Sequence, residues 1–182
     1  MITFKANYID SATVHKKTFL NSYEDFQVSF VELDPYNQKD VLCLNETNIN
    51  WRNGNTFASD MTRKINELAN GKRNIEENRF FALTTQTDNF ENLSFKKILG
   101  LTSVYKQHDN SAYIRTIQVA PDFQYCIKNR DFKHIGSELV NKLLRVISEK
   151  TIYLDTTEAG KKLYLTKGFK DFDCFGRMIL KR

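Results

Sequence analysis

The sequence predicts a mixed α/β fold: a central, mostly antiparallel sheet flanked by helices, with extra strands at the N-terminal end. Three observations predict it. Apolar residues alternate early in the chain, with Phe26, Val28 and Phe30 set against Gln27, Ser29 and Val31. Three apolar runs separated by turn residues follow over 79–119. A strand–helix–strand unit then covers 112–155, which demands a crossover connection and one locally parallel pair.

Taken in order, ITFKANYI and FQVSFVEL read as strands, with LNSYED as the turn between them. DPYN (34–37) is a turn signal, residues 38–47 form a short helix, and WRNGN (51–55) is a loop. In ASDMTRKINELANG, Ser59 or Asp60 caps a helix. Met61, Ile65, Leu68 and Ala69 make its apolar stripe, and Gly71 stops it. RFFALTTQT (79–87), KKILGLTSVYKQ (96–107) and AYIRTIQV (112–119) read as an antiparallel meander with a turn at 108–111. Residues 121–133 are irregular. A helix over 136–149 carries Leu139, Val140, Leu143, Leu144 and Ile147 at helical spacing. TIYLD (151–155) is short and largely apolar, as suits a buried strand. EAGKKLYLTKG (158–168) is a helix closed by Gly168, and residues 169–181 form a hairpin-like pair.

At 182 residues the chain is long enough for one domain with a real core. No run of about 18 apolar residues predicts a membrane helix, and the N-terminus lacks a signal peptide's apolar region. The expectation is therefore cytoplasmic. Three widely spaced cysteines, Cys43, Cys126 and Cys174, suit neither a disulfide framework nor a zinc site. The three histidines have no ligand-like spacing, so no metal is expected. The net charge is +5. It is dispersed rather than gathered with aromatics, which argues for a solvated basic surface over a nucleic-acid groove.

The stretch RDFKHIGSELVNKLLRV (130–146) raises the functional question. A short basic loop with one glycine runs directly into a strong helix. Backbone N–H groups at a helix start lack partners and carry partial positive charge, so a phosphate can take them. Gly136 would remove a Cβ at the closest approach, while Lys133, Arg130 and His134 add charge. The alternative is an ordinary turn before a core helix, with Lys133 solvated.

The residues around this loop resemble the GNAT acetyltransferase superfamily. That family places an apolar strand ending in Val before a basic loop of pattern Q/R-x-x-G-x-G/A and a helix. A further strand and a helix ending L-Y-x-x-x-G-F come later. Here these are AYIRTIQV, DFKHIGS, ELVNKLLRVI, TIYLD and AGKKLYLTKGF. Leu163-Tyr164-(x)3-Gly168-Phe169 is the closest match. In the loop, Asp131 stands where Gln or Arg is usual and His134 replaces the first glycine. Gly136 and Ser137 keep the pattern, and the connection over 123–129 is longer than common.

The resemblance implies acetyl transfer from acetyl-CoA to a primary amine. It implies that Arg130, Phe132, Lys133, His134, Ile135, Gly136 and Ser137 hold the pyrophosphate. Gln118 and Val119 would serve the pantetheine arm and the thioester through their backbone, with a β-bulge opening the strand against 151–155. Tyr164, a phenol neutral at pH 7, is the expected acid toward the departing thiolate, or else a packing residue. Thr157 stands where relatives often carry an Asn that touches the cofactor.

Many relatives carry a Glu on the strand before the loop; here that region has Arg115 and no carboxylate. Asp155 is the substitute base, or a helix cap; Glu32, Asp34, a water chain or no dedicated base are further options. Arg115 can pair with a substrate carboxylate or phosphate, or with a cross-strand carboxylate.

Residues 79–182 thus form the expected cofactor core of a single GNAT-like domain spanning 1–182, and 1–75 the acceptor side. The acceptor is a small-molecule or protein amine. No membrane partner is expected, and an exposed N-terminal hairpin edge can pair with a second copy, giving a homodimer, or simply extend the sheet. Two rival readings remain: a non-catalytic acyl-CoA-binding or protein-binding module, and a nucleic-acid-associated protein acting, for instance, on charged tRNA.

Overall fold

The computed structural model describes residues 6–51, 63–67, 70, 78–107, 109–124 and 126–182. One nine-stranded sheet unites them. Its strands are β1 (Asn7–Lys17), β2 (Tyr23–Leu33), β3 (Asn78–Thr84), β4 (Ile98–Lys106), β5 (Ala112–Val119), β6 (Phe132–Lys133), β7 (Thr151–Asp155), β8 (Lys170–Asp171) and β9 (Arg177–Lys181). The order across the sheet is β6-β1-β2-β3-β4-β5-β7-β9-β8. β5 and β7 pair in parallel, and every other pairing is antiparallel. The helices are α1 (Gln38–Asn50), α2 (Ile135–Val146) and α3 (Glu158–Thr166), and residues 63–67 are also helical.

Two cores follow from strand alternation. On one face Val14, Val28, Phe30, Phe81, Leu83, Leu99, Ile114 and Ile152 meet Ile135, Leu139, Val140 and Leu143 of α2. On the other, Val31, Leu33, Phe80, Ala82 and Leu101 meet Cys43 and Leu44 of α1, with Trp51 and Ile65. β3 and β4 are covered on both faces, which is why RFFAL and ILGL read as near-continuous apolar runs. Helix α2 lies tight on β4 at Gly100. A Cβ there would sit 2.7 Å from Leu139 Cδ1 and 3.0 Å from the Gln118 carbonyl oxygen, an approach that only glycine permits.

Several expectations shift. Residues 2–5 of ITFKANYI lie outside the described residues; the first strand takes in Asn7 to Ile9 of that stretch and runs on to Lys17, with the turn at 18–22. α1 continues to Asn50, three residues past its expected end. The irregular 121–133 segment contains β6, which pairs with β1 through His15–Lys133 and Lys16–Phe132. Two residues are too few to show periodicity, so no local signal marks that strand. α2 ends at Val146 rather than 149. The expected features at Arg52–Asn55, Ser59, Asp60, Met61, Leu68, Ala69, Gly71 and His108 lie outside the described residues.

Asp40, in the first turn of α1, is 1% exposed and accepts the Asp34 N–H. Burial pushes its carboxyl up to about 6, only partly offset by that N–H. The folded chain therefore holds this proton more tightly than the unfolded one. The resulting stabilisation is present below pH 4 and is lost as pH rises through about 6. Asp40→Asn is expected to flatten the stability profile between pH 4 and 7. It should add about 1–3 kcal/mol at pH 8. Urea unfolding across that range checks this, and an unchanged slope would contradict it.

Candidate active site

The parallel pairing of β5 and β7 is short. It joins Ala112–Ile152, Tyr113–Tyr153 and Ile114–Leu154, and goes no further. On the other side of β5, the register with β4 skips from Ile114–Val104 to Thr116–Ser103, leaving Arg115 as the extra residue of a β-bulge. A bulge bends its strand and sharpens the local twist. From Arg115 onward β5 parts from β7, and the β7-facing backbone groups of 115–119 have no strand partner there. Between the parted strands lies a cleft of about 960 Å³. Its walls include Arg115, Thr116, Ile117 and Val119 of β5, Gly136 of α2, Asp155 to Thr157, and Gly160, Leu163 and Tyr164 of α3.

The first turn of α2 reaches the cleft at Gly136. His134 is its N-cap residue with φ +65° and makes no side-chain cap bond. That left-handed conformation is free for glycine and costs another residue about 1 kcal/mol. The histidine therefore holds a backbone shape that glycine adopts without cost. Its ring turns to β1 and meets the His15 ring edge-on at 4.4 Å, away from the residues that line the cleft. Burial, followed by the neighbouring His15 and Arg130, holds His134 below the usual imidazole range, so the ring is neutral at pH 7. The first intrahelical bond reaches back from the Glu138 N–H to the His134 carbonyl oxygen. The N–H groups of Ile135, Gly136 and Ser137 precede it and find no acceptor among the described residues, which is the arrangement that accepts a phosphate.

The basic side chains of the loop are engaged elsewhere. Lys133 Nζ lies 3.5 Å from the centroid of the Tyr23 ring. Arg130 Nη1 donates to the Gln124 carbonyl oxygen at 2.9 Å, and its Nε is buried without a partner. Phe132 packs edge-on against Phe26 and Phe123. These residues brace the loop against the β1–β2 hairpin, and none of the three side chains lines the cleft. Gln118 pairs across the sheet with Leu101 and so shares its face toward α1. Its buried amide has neither atom satisfied.

The LYLTKGF stretch has a physical explanation. The Phe169 N–H bonds to the Tyr164 carbonyl oxygen and the Gly168 N–H to that of Leu165, with Gly168 at φ +89°. This is a Schellman cap. Its accompanying apolar contact is the Tyr164–Phe169 ring pair at 6.0 Å. The cap thereby fixes the direction of Tyr164. Tyr164 is 9% exposed, more deeply set than Leu163, which lines the cleft half-buried. Burial pushes the phenol up to about 12, so it stays protonated and acts as a donor.

Asp155 ends β7. Its carboxylate accepts the Tyr113 hydroxyl and, at 3.3 Å, Arg177 Nε. The helix cap is Thr157 instead, whose side chain makes no cap bond and whose residue lines the cleft. Glu32 is held by Arg79 through two bonds of 2.7 and 2.9 Å. Asp34 accepts the Tyr36 N–H beside Asp40, on the α1 side of the β2 end.

A large sheet that splays between β5 and β7, with the first turn of a helix reaching the opening, is the fold of the GNAT acetyltransferases. Among solved structures, the chain is similar to the PaiA N-acetyltransferase of Thermoplasma acidophilum in complex with coenzyme A. The TM-score is 0.55 at 15% identity, covering 86% of this chain and 100% of that one. A GNAT-family acetyltransferase of Staphylococcus aureus Mu50 matches with TM-score 0.54 at 15% identity, over 85% and 98%. A spermidine N-acetyltransferase SpeG chimera from Vibrio cholerae and hSSAT matches with TM-score 0.55 at 19% identity, over 85% and 95%. No protein-family model matches the chain, and no curated protein matches its sequence.

Proposed function

We propose that this protein is an acetyl-CoA-dependent N-acetyltransferase. The observation that carries the reading is the opening between β5 and β7. It leads from Gly136, whose N–H group, like those of Ile135 and Ser137, finds no acceptor among the described residues, past the edge of 115–119 that β7 leaves unpaired, to the Tyr164 phenol. Those N–H groups and Gly136 would hold the pyrophosphate. The free edge of β5, including the backbone of Gln118 and Val119, would bond the pantetheine amides. A Val119 N–H would polarise the thioester carbonyl. Thr157 would offer its hydroxyl to the arm, and Arg130, Phe132, Lys133 and His134 would shape the loop.

The reaction converts an ammonium and a thioester into an amide, a thiol and a released proton. A phenol held near 12 gives up its proton to an ordinary thiolate only uphill. Tyr164 therefore acts as a hydrogen-bond donor that stabilises charge building on sulfur. Asp155 already accepts two donors, so its role is to hold Tyr113 and Arg177 at the mouth of the cleft. The region 1–75 would form the acceptor side and 79–182 the cofactor core.

Saturating acetyl-CoA is expected to raise the thermal midpoint, because a ligand bound only by the folded state adds its binding free energy to stability. An amine panel should then show release of CoA. No shift with acetyl-CoA would overturn the reading. Binding without turnover on any amine would favour a non-catalytic acyl-CoA-binding module, the reading that the engaged Asp155 supports.

A further inference from the structure

We infer that the acceptor amine also carries an anionic group, a carboxylate or phosphate, and that Arg115 binds it. The inference rests on the acetyl-transfer reading above.

Arg115 is the extra residue of the β5 bulge, and bulges re-aim side chains next to active sites. It is exposed and lines the cleft at the point where β5 leaves β7. The other charges of the cleft have engagements. Asp155 holds Arg177, Arg177 also lies 4.0 Å from Asp173, and Asp109 accepts the Ser111 hydroxyl and N–H. Arg115 has no carboxylate within ion-pair distance among the described residues. It is the cation of this cleft that lacks one.

The phosphates of the cofactor are not its partner. Gly136 sits beside Val119, with a built Cβ 3.5 Å from Val119 Cγ2. Arg115 lies four residues back along β5, roughly 13 Å at strand rise. A guanidinium fork matches a carboxylate or phosphate through two parallel bonds. Two aromatic pairs share the cleft with it, Tyr105–Tyr113 at 5.2 Å and Tyr153–Phe172 at 5.4 Å. Tyr105, Tyr113, Tyr153 and Phe172 all line the cleft. They offer flat apolar surface to the body of the acceptor, while Arg115 fixes its anionic end. A polyamine, with cations at every polar position, meets repulsion here.

The test compares CoA release with phenylalanine, phenylalaninamide, phosphoethanolamine and spermidine. In the wild type, the carboxylate or the phosphate acceptor should exceed the amide and the polyamine by roughly 10–100-fold in kcat/KM. Arg115→Gln should erase that preference by raising KM for the anionic acceptor, with little change for the amide. The thermal shift with acetyl-CoA should be unchanged. Preference for phenylalanine identifies a carboxylate, and preference for phosphoethanolamine a phosphate; either supports the inference. Equal use of acid and amide, preference for spermidine, or an equal loss on both acceptors in Arg115→Gln would overturn it. So would an acetyl-CoA shift accompanied by neither turnover nor any added shift from the anionic acceptors. Absence of the acetyl-CoA shift itself would instead strike the acetyl-transfer reading.

Discussion

Tyr164→Phe is expected to lower kcat by about 10²-fold, the lower end of what a positioned acid supplies, while acetyl-CoA still raises the thermal midpoint. The lower end applies because the phenol sits near 12 and donates a hydrogen bond more readily than a proton. The Schellman cap keeps the ring in place without the hydroxyl, since the contact with Phe169 is between rings. The hydroxyl has no partner among the described residues, so the substitution should leave stability close to unchanged. The pH dependence has a definite sign. A group held near 12 stays protonated across the working range, so its ionisation imposes no alkaline loss of kcat below about pH 11. Full activity in the phenylalanine variant would remove Tyr164 from the chemistry.

Gly136→Leu should abolish the acetyl-CoA thermal shift while the unliganded midpoint moves little. A Cβ at Gly136 meets only ordinary contacts, 3.5 Å to Val119 and 3.8 Å to Leu163, and leucine is a good helix former. The rest of the side chain must then extend into the cleft that Gly136 lines, over the N–H groups that would receive the pyrophosphate. At a hundredfold excess of ligand over Kd the shift lost corresponds to about 2.7 kcal/mol, or roughly 5–10 °C for a chain of this size. A variant that folds as the wild type does and still shifts fully would place the cofactor elsewhere.

The elements that frame the cleft were legible because their signals are local. AYIRTIQV and TIYLD coincide with β5 and β7 residue for residue. The LYLTKGF run carries its own capping logic in the spacing of Tyr164, Gly168 and Phe169. The parallel pair was legible too, since a helix between two strands forces a crossover. Long-range contacts were harder to read. That Lys133 turns to Tyr23, and that Asp155 is taken up by Tyr113 and Arg177, depends on partners distant in sequence. The position of the bulge at Arg115 is a matter of register between strands, which alternation along one strand does not reveal. His134 looked like a missing glycine. Its backbone takes a positive φ, a shape glycine adopts freely and one this histidine holds while its ring packs edge-on against His15.

The pairing of β6 with β1 has a consequence for timing. The Lys17 amide donates to the Asp131 carbonyl oxygen at 2.7 Å, so the outer edge of an early strand closes only when a much later loop arrives. Such distant pairings form late in folding, and a two-residue edge is among the first places to open afterwards. The same loop ends at the start of α2. Occupancy of that helix start would then slow hydrogen exchange at an amide of the first strand, making Lys17 a remote reporter of the cleft.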